Sequence, residues 1–271
     1  VVICETRLQA ESAAAEMFSG ALLGTHETEI VLEEFLTGEE LSFFALCDGK
    51  HAAPIASAQD HKRVGEGDTG PNTGGMGAYS TDGLTTAAMR EWLTKNVAQK
   101  VVDGMAAEGQ PFKGILFCGI MMTPRGPMVL EFNTRFGDPE TQVVLPRLAT
   151  DLLAVLWAAA RGELAGTQLA VKPDHALCVV IAAKGYPENY PKGDAITLPS
   201  PLPSGVSIIH AGTAKNSSGR VVTHGGRVLG VTALAPTLRA AAARAYAVCD
   251  QIQCASKYFR RDIGARELHR R

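Results

Sequence analysis

An α+β fold is what this sequence of 271 residues predicts. Three observations carry that reading. Stretches with helical character recur along the chain, and between them lie short runs rich in β-branched and apolar residues, broken by turn signals. The composition is 46% hydrophobic and 20% charged, which is ordinary for a globular chain and argues against disorder. A chain of this length buries enough surface to fold as one or two domains without a disulfide or metal staple.

Residues 1–4 read as the stub of a strand. Thr6 and Gln9 have the spacing of a capping box, so a helix is expected over residues 9–18 with Gly20 at its end. A short strand is expected over 29–35. Residues 41–47 and 51–58 flank Asp48-Gly49, a strong hairpin signal. Residues 59–80 hold six glycines and show no period, which suggests a long functional loop. Apolar residues Ala88, Trp92, Val97, Val101 and Met105 predict one amphipathic helix over 85–108. Strands are expected over 112–122 and 128–132, and a buried helix over 151–161. Lys172-Pro173 looks like a boundary. Beyond it lie strands over 176–183, 206–210, 220–223 and 227–234, then a helix from Thr237 to about Cys254. An α+β unit to about residue 160 is thus followed by a smaller α+β unit.

The net charge is -2, so nothing drives bulk nucleic-acid binding, and no polybasic tract addresses anionic membranes. The longest apolar runs fall far short of the ~20 residues that span a bilayer. The opening residues lack a basic n-region and a small-residue cleavage site, so no signal peptide is expected. There is no initiator Met and the start reads as the middle of a strand, so further sequence is expected to precede it. Six scattered cysteines with no C-x-x-C pair point to a reducing, cytosolic compartment.

Three segments carry candidate chemistry. In an extended strand Glu131, Asn133 and Arg135 point the same way. A carboxylate, a carboxamide and a guanidinium on one face suit a magnesium-bound polyphosphate, and equally suit an exposed polar strand face with a surface ion pair. At 30–40 an apolar strand ends in acids. Backbone from Glu34 through Phe35 to Leu36, with Glu40 downstream, could hold a purine edge and a ribose, or form a solvated acidic turn. At 59–77 Lys62 or Arg63 could reach a phosphate, and the glycines could form a nest of N–H groups or a flexible surface loop. Residues 65–70 match G-x-G-x-x-G, but Pro71 follows and no βαβ unit surrounds them, so a Rossmann site is rejected. Scattered histidines make a zinc site a poor fit.

Taken together, Gln59 to Arg63, Gly67 to Tyr79 and Glu131 to Glu140 resemble the glycinamide ribonucleotide synthetase family, also called phosphoribosylamine–glycine ligases, of ATP-grasp fold. The resemblance continues through Ala183 to Pro187, His210 to Thr213, Gly225 to Val231 and Arg260 to Gly264. It implies a partial ATP-grasp unit followed by a small α+β C-terminal domain, divided at 1–36, 37–161 and 162–271, with the family's N-terminal part absent from this chain. It implies a cytoplasmic ligase of purine biosynthesis that joins glycine to 5-phosphoribosylamine at the expense of ATP, with little turnover from this chain alone. It also implies that Glu131 and Asn133 hold Mg²⁺ or Mn²⁺ and that Arg135 stabilises the transferring phosphoryl group. Glu33, Glu34, Phe35, Leu36 and Glu40 would hold adenine and ribose, and Lys62 would contact ATP phosphate. Asp68, Asn72, Thr73, Gly74, Gly75 and Asp138 would help position the other substrates. Many ATP-grasp proteins carry a second acid on the strand before the E-x-N strand; residues 116–120 here offer none. The competing expectations are a nucleotide-binding fragment without catalysis and a dinucleotide-dependent oxidoreductase.

Overall fold

A computed structural model describes residues 2–21, 24 and 29–270. The capping box forms as expected. The Thr6 hydroxyl accepts from the Gln9 amide at 3.2 Å while Gln9 accepts from the Thr6 amide at 3.3 Å, and helix α1 runs Arg7–Phe18. Gly20 follows in left-handed conformation (φ 77°). Residues 2–4 and 29–37 are not strands; Val1 lies outside the described residues. A strand requires a neighbour for its backbone groups, and 29–37 has none among the described residues. Its apolar side chains Val31 and Leu32 are accordingly 80% and 84% exposed.

The Asp48-Gly49 hairpin forms between β1 (Glu39–Asp48) and β2 (Ala52–Asp60). The expected glycine-rich loop is more ordered than its composition suggests. It folds into a small hairpin of β3 (Arg63–Gly65) and β4 (Thr69–Asn72), then strand β5 (Gly77–Ser80). The long helix divides into α2 (Ala87–Leu93) and α3 (Gln99–Ala107), joined by a wider π turn at Thr94–Ala98. That extra residue per turn rotates the buried stripe to Leu93, Val97, Ala98 and Val102, and leaves Trp92 44% exposed.

β6 (Lys113–Thr123) and β7 (Gly126–Asn133) pair as expected. The short helix α4 (Thr141–Val144) and α5 (Leu152–Arg161) follow. Contrary to expectation α5 buries one face only: Val155 and Ala159 are covered, while Leu153 and Trp157 are 76% and 65% exposed. The remaining elements are β8 (His175–Ala183), β9 (Val206–His210), β10 (Thr213–Lys215), β11 (Val221–Thr223), β12 (Arg227–Ala235), α6 (Leu238–Gln251), β13 (Lys257–Tyr258) and α7 (Ala265–His269).

One sheet spans most of the molecule, in the order β7-β6-β1-β2-β5-β8-β12-β9, with β13 added beside β8. It continues past Lys172-Pro173, because Gly77 to Ser80 pair antiparallel with Ala176 to Val179. The buried Arg147 ties the same junction, donating to Ser80 Oγ at 2.9 Å, the Asp174 carbonyl at 2.6 Å and Asp82 Oδ1 at 2.6 Å. Alternation along β1 sends Phe44 and Leu46 into a core with Val143, Val144 and Val155, and Phe43 and Ala45 into a core with Val97 and Val102. A third core packs α6 on β8 and β12. Burial on both faces is why β1 reads as a nearly unbroken apolar run.

Candidate active site

Strand register builds one chemical face. Ser42 of β1 lies opposite Gly119 of β6, and Glu40 opposite Met121. On the other side of β6, Glu131 lies opposite Gly119 and Asn133 opposite Phe117. Directly opposed residues share a face, so Glu40, Ser42, Glu131 and Asn133 all stand on the side that buries Phe44 and Phe117. Asp60 joins them, two residues beyond Ala58, the β2 partner of Ser42. A bulge at Leu130, where the register steps from Glu131↔Gly119 to Val129↔Ile120, sets which side of β7 the donors take. Gly119 occupies the row between Glu131 and Ser42. A Cβ there would stand 3.3 Å from Glu131 Cγ, so glycine leaves the carboxylate room.

Lys62 extends over this face and forms an ion pair with Glu40. Burial disfavours its ammonium, but Glu40, then Asp60 and Glu131, outweigh that and raise its pKa above the usual value. Asp60 accepts from the His61 amide at 2.6 Å. Burial pushes its carboxyl well above the ordinary range, and the neighbouring Glu140 adds to the effect. Glu140 is itself raised by burial, and takes a hydrogen bond from Ser42 Oγ at 2.9 Å.

The glycine-rich segment closes against this cluster. Gly75 has φ 108°, and a Cβ there would collide with Pro139 and lie 2.7 Å from Asp60 Oδ1. The Thr73 amide and hydroxyl donate to the Lys62 carbonyl at 2.7 and 2.8 Å. Its N–H groups do not form the expected nest. The amides of Gly67, Gly74, Gly75 and Met76 donate to Asp262, Tyr186, Thr73 and His61 respectively. Residues 65–70 form a hairpin tip, not a strand-to-helix turn, so the weak dinucleotide motif has no structural counterpart.

The structure thus brings Glu40, Lys62, Glu131 and Asn133 together on one side, with Thr73, Gly74, Gly75 and Asp138 along its border. Arg135 departs from expectation. The strand ends at Asn133, so alternation does not place the guanidinium; it is exposed and donates to the Phe136 carbonyl at 2.9 Å. Glu33, Phe35 and Leu36 lie on the unpaired segment leading into β1, and the Glu34 carboxylate pairs with Arg125 at 2.5 Å. Asn72 ends β4 opposite Arg63. Asp68 points elsewhere, to Arg260 at 3.1 Å and to Arg266. Sequence reasoning assigned no role to Asp60, Glu140 or Arg227. The dense run of acids in Asp138-Pro139-Glu140 was the available signal for Glu140.

A large antiparallel sheet whose end carries a carboxylate–carboxamide pair beside a lysine is an arrangement that suits an ATP-grasp protein. The matches to known proteins agree. Residues 1–141 match the model of the phosphoribosylglycinamide synthetase ATP-grasp (A) domain, and residues 176–266 that of the phosphoribosylglycinamide synthetase C domain. The chain belongs to the phosphoribosylglycinamide synthetase family. It is 48% identical over 270 residues to the phosphoribosylamine–glycine ligase of Agrobacterium fabrum, matching 100% of this chain and 63% of that relative's length. A crystal structure of phosphoribosylamine–glycine ligase from Thermotoga maritima superimposes with a TM-score of 0.83 at 32% identity, covering 97% of this chain and 65% of that one. The biotin carboxylase domain of the Hydrogenobacter thermophilus 2-oxoglutarate carboxylase, solved with MgADP and bicarbonate, shares the fold (TM-score 0.66, 16% identity, 95% of this chain and 55% of that one).

Proposed function

We propose that the protein carrying this chain is an ATP-dependent ligase of purine biosynthesis, joining glycine to 5-phosphoribosylamine through glycyl phosphate. The observation that carries the reading is the shared face of Glu131, Asn133, Glu40 and Lys62, together with family membership across both halves of the chain. In the reaction the glycine carboxylate attacks the γ-phosphorus of ATP and ADP leaves. The amine of phosphoribosylamine then attacks the acyl carbon, phosphate leaves and the amide forms.

Glu131 and Asn133 offer hard oxygen donors, with no thiolate or imidazole beside them, which suits Mg²⁺ or Mn²⁺. Among the described residues no group of three or more His, Cys, Asp or Glu could hold a metal ion; phosphate oxygens and water would complete the shell. When bound, the ion neutralises charge on the triphosphate. Lys62 places a permanent positive charge over the same face. Arg135, at the exposed start of the turn, swings toward transferring phosphoryl oxygens. The extended backbone at Glu34 to Leu36, with Glu33 and Glu40, holds adenine and ribose. Asn72 to Gly75 and Asp138 position the amino acid and the amine, and Asp68 acts by holding the hairpin that carries them.

The same reading divides the chain at 1–36, 37–161 and 162–271. No described helix is long and apolar enough to cross a membrane. Four of the six cysteines are buried and none is bonded to another, which suits the cytoplasm. ADP release that depends on both glycine and phosphoribosylamine tests the function; binding of NAD without binding of ATP overturns it.

A further inference from the structure

Two motifs of the C-terminal half, around Tyr186 and around Gly225-Gly226-Arg227, take no part in the chemistry above, yet both converge on Gly74. Gly225 lies back to back with Gly212, since a Cβ on Gly212 would fall 2.6 Å from the Gly225 Cα. Gly226 lies against the Tyr186 ring, where a Cβ would fall 2.7 Å from Cε2. These bare backbones let the turn into β12 close down. The Tyr186 hydroxyl then accepts from the Gly74 amide at 3.1 Å. Arg227 lies flat on Gly74, its Cζ 3.0 Å from where a Cβ would stand. Its Nη1 donates to the Gly74 carbonyl at 2.6 Å and the Asp138 carbonyl at 2.7 Å, and its Nη2 to Asp138 Oδ2 at 2.9 Å. Gln142 Nε2 holds the other Asp138 oxygen at 2.9 Å. One rigid, planar donor fork therefore fastens the glycine-rich loop to the turn after β7.

We propose that Arg227, backed by Tyr186, is a positioning residue for the two non-nucleotide substrates. By fixing Gly74 relative to Asp138 it sets the affinity for glycine and phosphoribosylamine without touching ATP. The inference rests on the proposed function, which gives Asp138 and the 72–75 loop to those substrates. An ammonium cannot reproduce three directed bonds in one plane, so lysine restores part of the effect and methionine none.

The test uses the full-length protein carrying this chain. Arg227→Met is expected to raise the KM for glycine or phosphoribosylamine about tenfold or more, with the KM for ATP changed by less than about threefold, and Arg227→Lys to recover part of the loss. Amides at 73–77 are expected to exchange with solvent faster in Arg227→Met. Tyr186→Phe removes a single hydroxyl and is expected to raise the same KM by about threefold; it decides the matter if Arg227→Met does not fold. The inference is overturned if the KM values of all three substrates move together, if none moves, or if amide exchange at 73–77 stays at the wild-type rate. A wild-type protein without ligase activity would refute the proposed function instead, and amide exchange would still decide the role of Arg227.

Discussion

Acidification below neutrality should loosen the glycine-rich segment through one residue, His61. Its ring is 1% exposed. Nε2 accepts from the Gly264 amide at 3.3 Å, which leaves Nδ1 to donate to the Gly77 carbonyl at 3.3 Å. This neutral tautomer is complete; a second proton on Nε2 would face an N–H donor. Burial first, then Arg260 and Arg266, hold its pKa down at about 4 from 6.5, against the opposing pull of Asp68 and Asp262. Because the folded value lies below the unfolded one, the stabilisation is complete above about pH 6.5 and is lost as pH falls toward 4. A drop of this size corresponds to about 3 kcal/mol in total, of which about 2 kcal/mol is gone by pH 5. Asp60 and Glu140 act in the opposite sense, since burial raises them and acid relieves their desolvation. Wild type must therefore be compared with His61→Gln, which keeps an acceptor but does not titrate. Urea denaturation at pH 7.5, 6 and 5 should show the wild type losing about 2 kcal/mol relative to the variant. Parallel curves for the two proteins, or a His61 NMR titration midpoint above 6, would refute the reasoning.

Further outcomes are expected elsewhere. Glu131→Gln in the full-length protein should lower kcat/KM for ATP in the proposed reaction at least tenfold, about 1.4 kcal/mol or more; wild-type rates would remove Glu131 from the proposed metal site. Asp48 accepts from the amides of Lys50, His51 and Leu164 at 2.9, 2.6 and 2.8 Å. Against its burial these bonds hold its pKa down at about 2, and Asp48→Ala should cost about 2–4 kcal/mol by urea midpoint. Gly75→Ala adds a Cβ at φ 108° against Pro139 and Asp60, so a cost of about 2–4 kcal/mol is expected, with unchanged melting as the contrary result.

Local chemistry made part of this molecule legible in its sequence. The Asp48-Gly49 hairpin and the Thr6–Gln9 capping box depend on residues within a few positions, and both formed as read. Strict alternation placed Glu131 and Asn133 correctly because both lie on the same side of the Leu130 bulge. Alternation does not reach Arg135 because strand length is decided by the partner, and β6 pairs only as far as Asn133. Residues 29–37 have the composition of a strand but no neighbour among the described residues. Part of the order in 59–80 was invisible because two of its acceptors come from far away: Asp262 and Tyr186 take amides of Gly67 and Gly74. Arg227 is 153 positions from Gly74, a separation that no periodicity spans.

The extra residue at Leu130 has a consequence for how such chains can change length. On either side of it, β7 obeys strict parity, so losing Leu130 itself would leave Glu131 opposite Gly119, whereas straightening the strand with Leu130 kept would set Glu131 opposite Cys118 and turn both oxygen-bearing side chains toward α2 and α3. Gaining or losing a residue in the 123–126 turn shifts only the hairpin end and spares that parity. Length variation compatible with nucleotide chemistry should therefore collect in the turn or at the bulge residue itself, and single insertions between Glu131 and Asn133, which would part their faces, should be missing.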